Sequence, residues 1–435
     1  MVARPGYRGV AALHSCPDGP GGRILPGRFL VREYLPADSV TDAMTNDHQP
    51  ESAAARDDDL ALVLVGGGAR AAYQVGFLRA LVKKHPAIRL PIITGTSAGA
   101  INATYLASQV GPLSEAVDGL VQLWRRQRVD QVFRVDGRSL LGLVARWGLR
   151  LISGGGSLAP QVRGLLDTSP LRRFLEHALQ PTDNGEFAGI ARNIAACRLR
   201  ALAITTSSYT TGRSVVWVQG ADIENWERPN RRSRKTAITI DHVMASAALP
   251  LFFPAIELDD GWYGDGGIRM LAPCSPAIHL GARRIIAISN RCRNSMDEAD
   301  EPVIRHYPPP AQIAGQMIQS MFLDDLDRDA FSLQRLNRLL AVLPPDQHQG
   351  LRPVDLVVVR PSRDLGRLAG EFEPQLPWLF RHLTRGLGSR ETPSPDLLSL
   401  LMFQEDYIDR LMEIGAEDAE TQGESVAALL ERRPG

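Results

Sequence analysis

Apolar positions arrive in short continuous runs, broken by glycine turns and joined by stretches with three-to-four spacing. LALVLV (60–65) is apolar throughout and ends at three glycines, which predicts a strand buried on both faces. ARAAYQVGFLRALVKK follows, with Ala71, Val75, Leu78 and Val82 on one helical face. Its last turn carries Lys83 and Lys84, where cations suit the helix dipole. PIIT (91–94), GTSAG and INATYLAS repeat the order strand, tight turn, helix. Strands alternating with helices at this spacing predict an α/β fold with a mainly parallel sheet covered on both sides. Ser169-Pro170 reads as a helix start before LRRFLEHAL. ALAITTSSY and RSVVWVQ read as a hairpin about Thr211-Gly212, and RRIIAIS (283–289) as a further buried strand. Beyond about 362 the pattern turns helical, in LPWLFRHLTRGLG and then PDLLSLLMFQEDYIDRLMEIG. Residues 1–58 mix Pro, Gly, Arg and Asp without sustained period and read as a disordered extension. SGGGSLAP (153–160) reads as a flexible loop.

Composition narrows the classes. The chain has 435 residues, 44% of them apolar, and no net charge, so it buries a large core and offers nucleic acid no electrostatic footprint. Lysine occurs only at Lys83, Lys84 and Lys235, so nearly all of the 49 basic residues are arginine and small Arg clusters carry little meaning. Cys16, Cys197, Cys274 and Cys292 lie far apart, with neither a disulfide framework nor metal-ligand spacing. No apolar run reaches the roughly 20 residues needed to cross a bilayer. The first residues make a poor signal peptide. The expectation is a cytoplasmic protein that touches membranes, if at all, from their surface, with no metal and no cofactor; the pattern leaves its oligomeric state unread.

Three segments carry candidate chemistry. Gly95-Thr96-Ser97-Ala98-Gly99 lies between a predicted strand and a predicted helix. A nucleophilic serine projects from such a turn, and glycines two residues away on either side remove bulk. The bland alternative is an ordinary glycine-rich turn. Gly66-Gly67-Gly68-Ala69-Arg70 also joins strand to helix, and its backbone N–H groups could stabilise the oxyanion of acyl transfer. It could equally cradle a phosphate. The dinucleotide fingerprint, however, wants glycine where Ala71 stands, and a Walker loop wants a GK[ST] ending. Gly264-Asp265-Gly266-Gly267 would on its own be a turn. Beside a candidate serine it becomes a candidate base, because the histidines offer none that convinces. His177 falls in a helix pattern, His242 opens a helix as a surface or capping residue, and His279 precedes a strand. His279 and His306 remain the positions a histidine-based triad would use.

GGGAR, GTSAG, SAALPLFFP and DGG, in this order and spacing, resemble the patatin-like phospholipases. The likeness runs from about Leu60 to Ala419 and includes GLLDTSPLRRFL, TTGRSVVW, PCSPAIHLGARRIIAIS and FLDDLDRDAFSLQRLNRLL, stretches similar to a bacterial branch of the family. The resemblance implies a three-layer α/β/α fold. A patatin-like catalytic domain would span 59–362, after the extension 1–58, and a helical extension over 363–435 would pack upon it. It implies a serine lipid acyl hydrolase acting on a lipid or phospholipid ester through a dyad, with Ser97 as nucleophile and Asp265 as base. Gly66, Gly67 and Gly68 would form the oxyanion hole, braced by Arg70; Gly95, Thr96, Ala98 and Gly99 would shape the nucleophile turn, and Gly266 and Gly267 the acid loop. An idle binding protein and a Ser-Asp-His esterase are the competing readings. Ala71 stands where the family usually has glycine, which should tighten its loop. Leu271 stands where an Asn usually follows the acid loop, which should loosen it.

Overall fold

β1 (Leu60–Leu64) sits near the middle of the sheet, and its residues alternate between two cores. Leu60, Leu62 and Leu64 enter one and Ala61 and Val63 the other, which is why the run is apolar at every position. This computed structural model describes residues 59–134, 164, 166–292, 313, 317, 325–375 and 396–432. The N-terminal extension, the glycine run 153–160, His306 and LPWLFRHLTRGLG lie outside the described residues.

The remaining strands are β2 (Ile92–Thr96), β3 (Ala201–Ser208), β4 (Ser214–Gly220), β5 (Glu227–Arg228), β6 (Arg231–Lys235), β7 (Ile256–Leu258), β8 (Gly261–Asp265), β9 (Arg284–Ile288) and β10 (Asp355–Val359). They lie in the order β10-β9-β1-β2-β3-β4-β6-β5, with β10 through β3 all parallel. β3 and β4 form the expected antiparallel hairpin. The edge strand β10 was not among the expected elements. One register decides where the chemistry falls. β2 pairs with β3 only as far as Thr96 opposite Thr205, and β8 then takes over the same edge of β3, starting with Asp265 opposite Thr206. The last residue of β2 and the last residue of β8 therefore meet end to end.

Helices cover both faces, so the architecture is the three-layer α/β/α arrangement. One face is covered by α1 (Ala72–Lys84), α2 (Ala98–Ser108), α3 (Leu113–Arg126), α4 (Val129–Val132), α5 (Ser169–Leu179), α6 (Ala188–Ala195) and α7 (Ile240–Ser246). The other is covered by α8 (Ser275–His279) and α9 (Asp325–Leu340). The C-terminal helices α10 (Leu365–Phe372), α11 (Asp396–Leu401), α12 (Glu405–Thr421) and α13 (Gly423–Glu431) join the first, larger core. They change the surroundings of α1. Its expected apolar face is buried, but so are Tyr73, Gln74 and Phe77. α12 lies against it so closely that a side chain at Gly76 would stand 2.0 Å from the Met412 carbonyl oxygen. At Gly415 a side chain would stand 2.2 Å from that of Tyr73. Among the described residues no helix is long and apolar enough to cross a membrane.

Candidate active site

β2 ends in a turn that puts Ser97 at φ 56°, ψ −130°, immediately before α2. A serine in this region carries strain of order 1–3 kcal/mol and stays there only where its surroundings hold it. The Ser97 N–H donates to Ser246 Oγ at 3.0 Å, and that hydroxyl donates to the Thr205 carbonyl at 2.7 Å. Ser246 thus ties the turn to β3, one residue from the Asp265 pairing position. The flanking glycines answer to space. A side chain at Gly95 would meet the Gly99 carbonyl at 2.5 Å, and one at Gly99 would meet the Leu64 carbonyl at 2.2 Å.

Asp265 closes β8 and is fully buried. Its N–H donates to the Ala248 carbonyl at 3.0 Å, and its Oδ1 accepts from the Gly267 N–H at 2.9 Å. Its Oδ2 has no hydrogen-bond partner. Burial pushes this carboxyl up to about 7, against the pull of the nearby Ser97 hydroxyl and the Gly267 N–H. The Ser97 hydroxyl is thus near enough to favour the carboxylate, although no hydrogen bond closes between them. Catalytic contacts are often slack before substrate binds. Leu271 is 59% exposed, and the acid loop is fastened without an asparagine, through the β8–β3 pairing and Gly267.

The glycine loop abuts this pair. A side chain at Gly66 would stand 2.8 Å from Ser97 Cβ, and Gly67 and Gly68 line the same cavity as Ser97. Gly68 has φ 53° and presses on the Leu400 backbone, so no other residue fits there. Asn290, which sequence reasoning missed, donates from Nδ2 to the Gly66 carbonyl at 2.8 Å and the Val65 carbonyl at 3.3 Å. Arg70 is buried and donates from Nε to Ser399 Oγ in α11 at 2.6 Å. Arg70, expected as a brace of this loop, thus contacts the C-terminal helices.

Behind the turn lies a second unexpected group. Asn102 Nδ2 donates to the Gln74 carboxamide oxygen at 3.0 Å and the Ala71 carbonyl at 3.2 Å, while its Oδ1 accepts from Trp124 Nε1 at 2.7 Å. Gln74 in turn donates to the Val65 carbonyl at 2.8 Å. One buried network thus links the glycine loop, α1, α2 and α3. Asn102→Ala leaves two buried groups, the Gln74 carboxamide oxygen and the Trp124 indole N–H, unpaired and is expected to lower stability by about 3 kcal/mol, read by urea unfolding. A loss within experimental error would show that the network holds nothing.

The cavity beside Ser97 encloses about 40 Å³. Ile101, Trp124, Val132, Leu171, Leu249, Phe253 and Phe403 give it apolar walls. A cleft of about 950 Å³ between α1, α3 and α12 is larger but shares no residue with it. Among the described residues no histidine lines the Ser97 cavity. His279 stacks on Trp226 at 4.8 Å, before β9. Burial and then three arginines bring its pKa down to about 4. His242 caps α7, accepting the Thr239 N–H on Nδ1 at 3.1 Å, but it is buried rather than on the surface, and burial lowers it to about 4.

The chain is similar to several solved structures. Human GIVD cytosolic phospholipase A2, in complex with methyl gamma-linolenyl fluorophosphonate, is 13% identical with a TM-score of 0.40, covering 91% of this chain and 61% of that one. VipD from Legionella pneumophila is 14% identical with a TM-score of 0.28, covering 82% and 67%. The SpcU–ExoU complex of the Pseudomonas aeruginosa type III secretion system gives 17%, 0.26, 86% and 79%. The chain thus spans about three fifths of the length of the human phospholipase, 61%. No curated protein matches it in sequence. The sequence model of the patatin-like phospholipases matches residues 62–278, the span that holds the glycine loop, Ser97 and Asp265. Over that span the chain is a member of the patatin-like phospholipase family, a family of lipid hydrolases.

Proposed function

We propose that this chain is a serine lipid acyl hydrolase in which Ser97 attacks the ester carbonyl and Asp265 moves the protons. The observation that carries the reading is the meeting of a strained serine with a fully buried carboxyl whose pKa is about 7. An ordinary carboxylate is too weak a base to help serine, and burial brings this one near neutral pH, where a base works best. Asp265 takes the Ser97 proton as Oγ adds to the carbonyl carbon. N–H groups of the Gly66, Gly67 and Gly68 segment stabilise the oxyanion, with Arg70 and Asn290 holding that segment in place. The tetrahedral intermediate collapses, and Asp265 returns the proton to the departing alcohol. Water, deprotonated by the same carboxylate, then releases the acid from the acyl-serine.

In this reading residues 59–362 form the catalytic domain, and the helical extension 363–435 completes it. The enzyme is cytoplasmic and meets its lipid ester peripherally. The test is covalent capture. A fluorophosphonate probe should label the wild type once, and peptide mass spectrometry should place the adduct on Ser97. An adduct on another serine, or none in protein that still turns over ester, would refute the dyad.

A further inference from the structure

The turn after α7 carries a leucine from which the free protein gains nothing. Leu249 and Phe253, on either side of that turn, line the Ser97 cavity. The Phe253 N–H donates to the Leu249 carbonyl at 2.9 Å and closes the turn. Between them Leu251 has φ 66° and is 69% exposed. Pro250 precedes it, and a turn residue with positive φ after proline is ordinarily glycine or asparagine. An exposed leucine alone is commonplace. This one also strains its backbone, so the chain bears two costs that glycine would avoid. Its side chain stands in solvent, open to a partner arriving from outside.

The surroundings say what that partner is. The Leu166 N–H donates to the Phe252 carbonyl at 2.7 Å and joins the turn to the segment before α5. The next residue, Asp167, has Arg134 at 3.9 Å and also feels the charge of Arg173. Two arginines thus stand against one carboxylate beside the turn, and Arg173 is exposed. An apolar side chain projecting near arginines suits an anionic lipid surface, where leucine enters the acyl region and guanidinium groups meet phosphates. We propose that Leu251 inserts into an anionic lipid surface and that Arg173 meets its headgroups. This deepens the hydrolase reading above and rests on it for the lipid. The turn that docks is also a wall of the Ser97 cavity, so docking brings the cavity against the substrate.

The experiment is co-sedimentation with vesicles of phosphatidylcholine and phosphatidylglycerol. It uses the full chain carrying Ser97→Ala, so that the vesicles stay intact, alone and combined with Leu251→Asp, Leu251→Gly or Arg173→Glu. Both Leu251 variants should bind at least about tenfold more weakly, the worth of taking a leucine out of water. Arg173→Glu should weaken binding about tenfold at low salt and little at high salt. Leu251→Gly should melt no earlier than its parent, because glycine takes positive φ freely, so its lost binding would not be lost folding. With Ser97 restored, Leu251→Gly should cleave a soluble short-chain ester as the wild type does and lose rate only on vesicles. A parent that does not sediment with the vesicles would overturn the proposal. So would Leu251 variants that bind as the parent does, or an equal loss on soluble ester and vesicles. Sedimentation needs no turnover, so these results judge the docking surface separately from the probe at Ser97, which judges the hydrolase reading.

Discussion

Ser97→Ala is expected to fold as the wild type and to lose ester turnover by roughly 10⁴–10⁶-fold, the range found when a nucleophile is removed from a working set. Alanine keeps the Cβ, and the N–H to Ser246 does not depend on the side chain. Its backbone cost at φ 56° is that of serine, so stability should barely change. Ser97→Gly separates chemistry from strain. It should be as inactive as the alanine variant yet unfold later, because glycine adopts this conformation without penalty, a gain of about 1 kcal/mol. Turnover of a chromogenic ester and thermal unfolding measure the two effects. A Ser97→Ala protein that still cleaves ester at more than a hundredth of the wild-type rate would end the proposal, on the scale just given.

Asp265→Asn is expected to cut turnover by about 10²–10⁴-fold while raising stability at alkaline pH. The amide oxygen can still accept from Gly267, but the side chain can no longer take a proton. The stability sign follows from the raised pKa. The folded carboxyl titrates at about 7 and the unfolded one near 3.8, so the folded state binds the proton more tightly. Stability from this group is complete below pH 3.8 and is lost as pH rises through 7, a cost on the order of 4 kcal/mol. Asn escapes that cost, so its melting temperature should exceed the wild type at pH 8 and match it near pH 4. Wild-type kcat/KM should climb through about pH 7, as the base loses its proton. A larger loss from His279→Ala than from Asp265→Asn would favour a histidine triad instead.

Much of the fold and part of the site were legible because their signals are local. β1, β2 and the turns after them are written in adjacent residues, as is the β3–β4 hairpin. Glycine spacing around Ser97 marks a place without room for side chains, and contacts with the Gly99 and Leu64 carbonyls are why. What escaped was long-range. Arg70 meets Ser399 across most of the chain, and Asn290 reaches back to Gly66. No window of sequence contains either pair. Gln74 and Asn102 carried no signal in the sequence pattern. They are buried because α12 and α3 cover them and each finds a partner. His242 misled in a similar way, since a helix-capping residue reads as exposed until Trp217 is seen against it. β10 was passed over because DLVVV is short and half-buried at the sheet edge.

The contact between the glycine loop and α11 has a consequence in time. Every motif by which the candidate site is recognised lies within residues 62–278, yet Gly68 rests on Leu400 and Arg70 is held by Ser399. A polypeptide emerging from the ribosome therefore displays the serine, the aspartate and the glycines long before it owns the wall against which they are set. Until that wall arrives, the loop lacks its support and the apolar cavity stands open to water. Competence to attack lipid is thereby postponed until residues 399 and 400 have been made, and a chain terminated before them carries the motifs without the finished site.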